Sequence, residues 1–125
     1  MAKIFLDANI FIDAIHRAPE KHILEDLEGN VIYVSPLSFH IYCYTFKIKI
    51  PNKKVYEQRD KFQLAGLSET ILNQALLGPT SDLEDNIQLH SAIDAECDLF
   101  LTQDDKLLDL IFFGKMRIHR TIDML

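Results

Sequence analysis

The stretch that most restricts what this chain can fold into is Met1 to Ile15, MAKIFLDANIFIDAI. Lys3 to Leu6 is a short apolar run of the kind buried on both faces of a sheet. It stops at Asp7-Ala8-Asn9, after which Ile10, Phe11, Ala14 and Ile15 return at helical spacing. Strand, acidic turn and helix in that order set oxygen ligands at the rim of an α/β sheet, where ligands of such folds bind. Taken alone, Asp7 reads as a helix N-cap. The second reading comes from recurrence, because the apolar run Asp98 to Leu101 ends the same way, in Thr102-Gln103-Asp104.

Between these two turns the chain alternates. A helix is expected over Pro19 to Leu27, closed by Gly29-Asn30, and a second buried strand over Val31 to Val34. Ser38 can cap a helix from about Phe39 to Ile48, broken by Pro51-Asn52, and Lys53 to Lys61 begins another. Phe62 to Leu67 reads as a short edge strand and Ser68 to Leu77 as a helix ended by Gly78-Pro79. Ser81 to Glu84 has the form of a capping box for a helix over Asp82 to Ala95. A last helix near Leu107 to Phe113 leads through Gly114 to a strand around Met116 to Ile118. Short apolar strands alternating with helices imply a parallel sheet covered on both faces, an α/β fold.

The 125 residues suit one domain, residues 1–125, with a core that needs no disulfide or metal staple. No apolar run approaches the ~20 residues of a membrane span, and the N-terminus lacks the pattern of a signal peptide. Cys43 and Cys97 have no partner spacing and read as reduced core thiols of a cytosolic protein. The net charge of −6 is unevenly spread. Lys47, Lys49, Lys53, Lys54, Arg59 and Lys61 stand against Glu57 and Asp60, a local +4 that leaves −10 on the rest. Such a stretch reads equally as a phosphate footprint and as a solvated helix face.

Parallel strands joined by right-handed crossovers present their C-terminal ends on one edge. Asp7 and Asp104 would then open into one crevice if their strands are neighbours. Asp82 and Asp85, three apart at the start of a helix that feeds the Asp98–Leu101 run, belong on that edge, as does Ser35. Clustered carboxylates raise one another's pKa and call for a cation, and an all-oxygen set selects Mg²⁺ or Mn²⁺. Such a site suits metal-assisted phosphodiester hydrolysis.

Four motifs together carry a resemblance: Leu6-Asp7-Ala8-Asn9, Val34-Ser35-Pro36-Leu37-Ser38, Asp82-Leu83-Glu84-Asp85-Asn86 and Leu101-Thr102-Gln103-Asp104. Over essentially its whole length the chain resembles a PIN domain, the compact nuclease fold of VapC-type toxins. The resemblance implies a three-layer α/β/α fold on a central parallel five-stranded sheet, and Mg²⁺- or Mn²⁺-dependent cleavage of single-stranded RNA, with single-stranded or structured RNA as the expected partner. Asp7, Asp85 and Asp104 would be the catalytic metal ligands, with Asn9, Ser35, Asp82 and Thr102 as polar support. A small antitoxin partner, a homodimer and a cytoplasmic location are also implied.

One departure stands out. The family places a glutamate three residues after the residue matching Ser38, and this chain has Ile41 there. His40 lies about 100° around the helix from that position and is either a supporting contact or a surface histidine. Asp82 is the better source of a missing oxygen. Glu84 is assigned to the capping box, pointing away from Asp82 and Asp85. Lys47, Lys49, Lys53 and Lys54 are the candidate RNA-backbone contacts. The alternative function is a catalytically degenerate PIN domain that binds RNA or a protein. A phosphatase or receiver domain is a third reading; Asp7-x-Asn9 lacks the former's second aspartate, and Ser35-Pro36 replaces the latter's phospho-acceptor.

Overall fold

The computed structural model describes residues 1–17 and 23–122. It contains β1 (Lys3–Leu6), α1 (Ala8–Ile12) running into a π-helical turn over Asp13–Arg17, α2 (Ile23–Asp26), β2 (Val31–Val34) and α3 (Pro36–Thr45). There follow α4 (Lys53–Gln58) with a 3-10 turn at Arg59–Lys61, β3 (Gln63–Leu64), α5 (Glu69–Ala75) and α6 (Leu83–Asp94). The chain closes with β4 (Leu99–Leu101), α7 (Asp105–Leu108), β5 (Phe112–Phe113) and β6 (Met116–His119). Of the expected helix over Pro19 to Leu27, residues 18–22 lie outside the described residues, and Ile23–Asp26 is helical.

The strand order is β3-β2-β1-β4-β6-β5, parallel except for β5, which runs antiparallel to β6. Side chains of β1 and β4 alternate between two cores, as strand geometry requires. Ile4, Leu6, Leu99 and Leu101 pack with Ile10, Phe11 and Tyr42 of α1 and α3. Phe5 and Phe100 turn to the other face, stacked 5.3 Å apart, and pack with Leu89 and Ala92 of α6 and Leu107 of α7. Helices therefore cover both faces of the sheet, the three-layer α/β/α architecture expected from the alternating pattern. Burying both faces is what lets β1 and β4 be apolar throughout.

Four local expectations need correction. The sheet has six strands, because the apolar run expected to stay helical through Phe113 ends at Leu108. Ile111 and Gly114 adopt positive φ (67° and 60°), and the intervening Phe112–Phe113 turns back onto β6 as a hairpin. Helix α3 starts at Pro36, not Phe39: the Ser35 hydroxyl accepts from the Leu37 N–H at 3.1 Å, and proline fits the first helical position. Ser38 is instead fully buried inside the helix, accepting from Gln88 Nε2 at 3.2 Å. At α6 the cap is Asp82, whose Oδ1 accepts from the Asp85 N–H at 3.0 Å, so Ser81 and Glu84 form no capping box.

Both cysteines are free thiols, and burial pushes Cys97 up to about 12 against the lowering effect of Lys3. Among the described residues, no helix is long and apolar enough to cross a membrane.

Candidate metal centre

Strand β1 is the point where the sheet reverses direction, with β2 on one side and β4 on the other. Crevices outside the C-terminal ends of strands at such a switch point are where α/β folds bind ligands. The register pairs Leu6 with Leu101, so Asp7 and Thr102 leave the sheet side by side, and the Asp7 N–H bonds to the Leu101 carbonyl at 3.0 Å. Asp7 and Asp104 therefore share one rim.

A short relay ties the two strand ends together. The Thr102 hydroxyl, fully buried, donates to Asp7 Oδ2 at 2.7 Å and accepts from the Asp104 N–H at 3.0 Å. Asp7 Oδ1 accepts from the Ala8 N–H at 2.7 Å. Asp7 is thus an N-cap as well as a candidate ligand, and the two readings of its position coexist. Asp104 caps α7 by accepting from the Lys106 N–H at 2.9 Å. Each acid is aimed by a backbone N–H at a helix start, which is the local reason these helices follow acidic turns.

The electrostatics bind the group together. Burial raises the Asp7 pKa above its ordinary value, opposed by Thr102 and Ala8 and reinforced by the charges of Asp104 and Asp82. Asp85, partly buried, is pushed up from 3.8 to about 7 by desolvation and then by Asp82, Asp7, Asp104 and Glu84. Glu84 is raised by desolvation, Asp82 and Asp7. Five acids from three segments thus share one field, and no basic side chain figures among the causes acting on Asp7, Glu84 or Asp85.

Glu84 is a further acid of this rim that the sequence did not point to. It was assigned to a capping box, whereas Asp82 takes the cap and Glu84 feels Asp7. The signal was available in the register of the helix start: with aspartate capping at 82, position 84 falls in the first turn. Gln88 was missed as well; it is fully buried one turn below Asp85, and its amide joins α6 to Ser38 of α3. Asn86 was read only as part of a motif. Its buried side chain fixes the approach to α6 by accepting from the Thr80 N–H and donating to the Ala75 carbonyl, each at 2.9 Å.

The supporting residues separate. Ser35 is fully buried at the end of β2, its hydroxyl spent on the α3 cap, and Asn9 is exposed in the first turn of α1. Ile41 is half-buried and packs against the α1/α3 core, so core fills the position at which the PIN resemblance led one to expect a glutamate. His40 lies on the solvent side of α3, stacked on Tyr44 with ring centroids 6.2 Å apart. The lysines at 47, 49, 53 and 54 are all exposed and begin where α3 ends. That is about 15 Å along the helix from Ser35.

The donors are hard carboxylate oxygens, right in kind for Mg²⁺ or Mn²⁺. Among the described residues, no three of them stand close enough to grip one ion together. That arrangement fits an ion that keeps most of its water and takes one or two carboxylates directly, as Mg²⁺ ordinarily does. It does not fit a closed cage of protein ligands.

No family model and no curated protein matches the sequence. Among solved structures, the chain is similar to one in the crystal structure of VapBC2 from Rickettsia felis bound to a DNA fragment from their promoter. The identity is 15%, the match covers 94% of this chain and 97% of that chain, and the TM-score is 0.64. The likeness is one of fold, a VapC-like α/β/α fold, and it spans both chains nearly end to end.

Proposed function

We propose that the protein is a metal-dependent endoribonuclease of PIN type, the toxin of a toxin–antitoxin pair. The observation that carries this reading is the convergence of Asp7, Asp85 and Asp104 at the sheet's switch point, where each raises or feels the others' charge. One or two of Asp7, Asp85 and Asp104 would hold Mg²⁺ or Mn²⁺ directly and the remainder through its water, with Asp82 and Glu84 supplying further negative charge. When bound, the ion supplies water activation and neutralises charge on the phosphate and the leaving oxygen.

The chain's own part is positioning and proton traffic. Thr102 and the Ala8 N–H hold both oxygens of Asp7 and keep the carboxylate from rotating. Asp104 is fixed through its own N–H to the same hydroxyl. Asp85, pushed up to about 7 by burial and its acidic neighbours, would give up its proton on taking a cation, so the site loads more readily as pH rises. The same reading includes a small antitoxin protein, a homodimer and a cytoplasmic location; the matched VapBC2 assembly on promoter DNA supports the antitoxin.

The test is cleavage of an RNA pool in millimolar Mn²⁺ by wild type and by Asp7→Asn. Replacing a partner of a ligand costs about 10–100-fold, so losing a ligand should cost at least about 100-fold. Cleavage retained in Asp7→Asn, or none by the wild type, overturns the reading. A degenerate PIN fold that binds without cutting is the second reading, favoured by Ile41 packing into the core and by the open spacing of the acids. RNA retained on the protein without turnover is its signature.

A further inference from the structure

The segment joining α3 to α4 carries a second surface that the acidic rim does not use. Three of the large side chains on and beside it are turned outward, Tyr44 79% exposed, Tyr56 76% and Ile50 70%, whereas Phe46, Ile48 and Val55 pack against the core. They are interleaved with the exposed lysines 47, 49, 53 and 54. Two shallow concavities follow one another along this segment. One, of about 730 Å³, is lined by Tyr44, Lys47 and Lys49 among others. The next, of about 500 Å³, is lined by Ile50, Pro51, Lys53 and Tyr56 among others. Each therefore offers an aromatic face beside at least one cation.

We infer that this segment is a binding track for single-stranded RNA, with Tyr44 and Tyr56 stacking bases and the lysines at 47, 49, 53 and 54 taking phosphates. The inference rests on the nuclease reading only for the choice of RNA. The chemistry comes from the surface itself. A local +4 on a chain whose remainder is −10 selects an anionic ligand. Two separate ring-plus-lysine concavities suit a polymer that alternates phosphate with a planar ring. A duplex hides its base faces, so stacking on exposed tyrosines requires an unpaired strand. The Lys53–Glu57 contact, at 3.8 Å between side chains 90% and 60% exposed, is too solvated to withhold Lys53.

The track also points the right way. Helix α3 begins at Pro36, capped by Ser35 on the acidic edge, and ends at the lysines, and its solvent side carries His40 stacked on Tyr44 between the two. A strand lying on Tyr44 is led along α3 toward the carboxylates. Lys47 supplies a variant that spares the fold. It occupies the left-handed position (φ 53°) closing α3, where the Ile48 N–H bonds to the Cys43 carbonyl at 2.9 Å and the Lys47 N–H to Tyr44 at 3.3 Å. Glycine is the residue that position favours.

The experiment measures binding of a fluorescent single-stranded RNA of about 12 nucleotides, within the usual site sizes. It uses Asp7→Asn protein in EDTA, so that nothing is cut. Tyr44→Ala and Tyr56→Ala should each weaken binding about five-fold or more. Lys49→Gln and Lys54→Gln should each lower the salt slope by about 0.7. Lys47→Gly should raise the melting temperature while weakening binding, which separates lost contacts from lost fold. Tyrosine variants that bind like their parent, or a duplex bound as tightly as the single strand, would overturn the track. So would vesicles of phosphatidylserine captured through these residues when RNA is not. Patch variants that change the sedimentation of the protein but leave RNA binding intact would assign the surface to a second copy of the chain and sink the proposal. Wild type that binds through the track without cutting removes the nuclease reading alone. Cutting and binding both indifferent to these variants remove the track alone.

Discussion

The acidic rim and the α3–α4 segment are both concentrations of one charge, and burial makes them behave differently. At the rim, Asp7 is 6% exposed and its oxygens are engaged by Thr102 and Ala8, so each neighbouring carboxylate is felt through little water. Asp85 stands near 7, first through its own desolvation and then through its acidic neighbours. In the α3–α4 segment the lysines project into solvent, where screening reduces like-charge repulsion and a surface ion pair contributes little. The first arrangement holds electrostatic strain that a bound cation would relieve. The second holds almost none and can act only by attracting a ligand.

Four outcomes would sharpen or break this contrast. The largest is catalytic: Asp104→Asn should reduce Mn²⁺-dependent RNA cleavage at least about 100-fold, whereas Lys54→Gln should change it far less at low salt. Comparable losses in both would erase the distinction between a reacting site and a steering one. Next comes metal itself. At 100 times its Kd, an ion that binds only the folded state adds about 2.7 kcal/mol, on the order of 10 °C for a chain of this size. Melting of the wild type with and without Mn²⁺ checks this, and Asp85→Asn should lose most of the shift.

Smaller is the relay. Thr102→Val leaves a buried Asp7 oxygen and the Asp104 N–H without their partner, which should cost about 1–3 kcal/mol in urea unfolding. A surface change such as Glu57→Ala should cost under about 0.5 kcal/mol. Equal costs would mean that Thr102 is not holding the strand ends together. The last outcome is a dependence on pH. Folded Asp85 keeps a proton until about 7, whereas in the unfolded chain it loses it near its ordinary 3.8. Its contribution is therefore fully favourable below about pH 4 and is lost as pH rises through about 7; Glu84 and Asp7 act in the same direction. Metal-free protein should unfold at lower urea near pH 8 than near pH 5, and Asp85→Asn should narrow the gap. Equal midpoints would mean that the acids are solvated after all.

Much of the fold was legible in the residues themselves. Ile4-Phe5-Leu6 and Leu99-Phe100-Leu101 are apolar without alternation, which only a strand covered on both faces tolerates. The rim acids were legible because each ends such a run or opens a helix. The hairpin of Phe112–Phe113 was not, since a short apolar run satisfies helix and strand periodicity alike, and Ile111 carries no marker of its positive φ. Glu84 was hidden for a related reason: serine and aspartate at 81 and 82 are both competent caps, and only with Asp82 as the cap is the Glu84 side chain left out of a capping box.

The sequence by itself determined that this chain makes a parallel α/β sheet with aspartates at its strand ends, because apolar runs and helix caps are local and chemically explicit. Only the tertiary structure decided which strands are neighbours. It was the pairing of Leu6 with Leu101 that brought Asp7 onto the Thr102 hydroxyl, 95 residues away. No local preference encodes such a contact. It follows from packing two cores on opposite faces of one sheet, and the charges gathered at its edge inherit their altered chemistry from that burial.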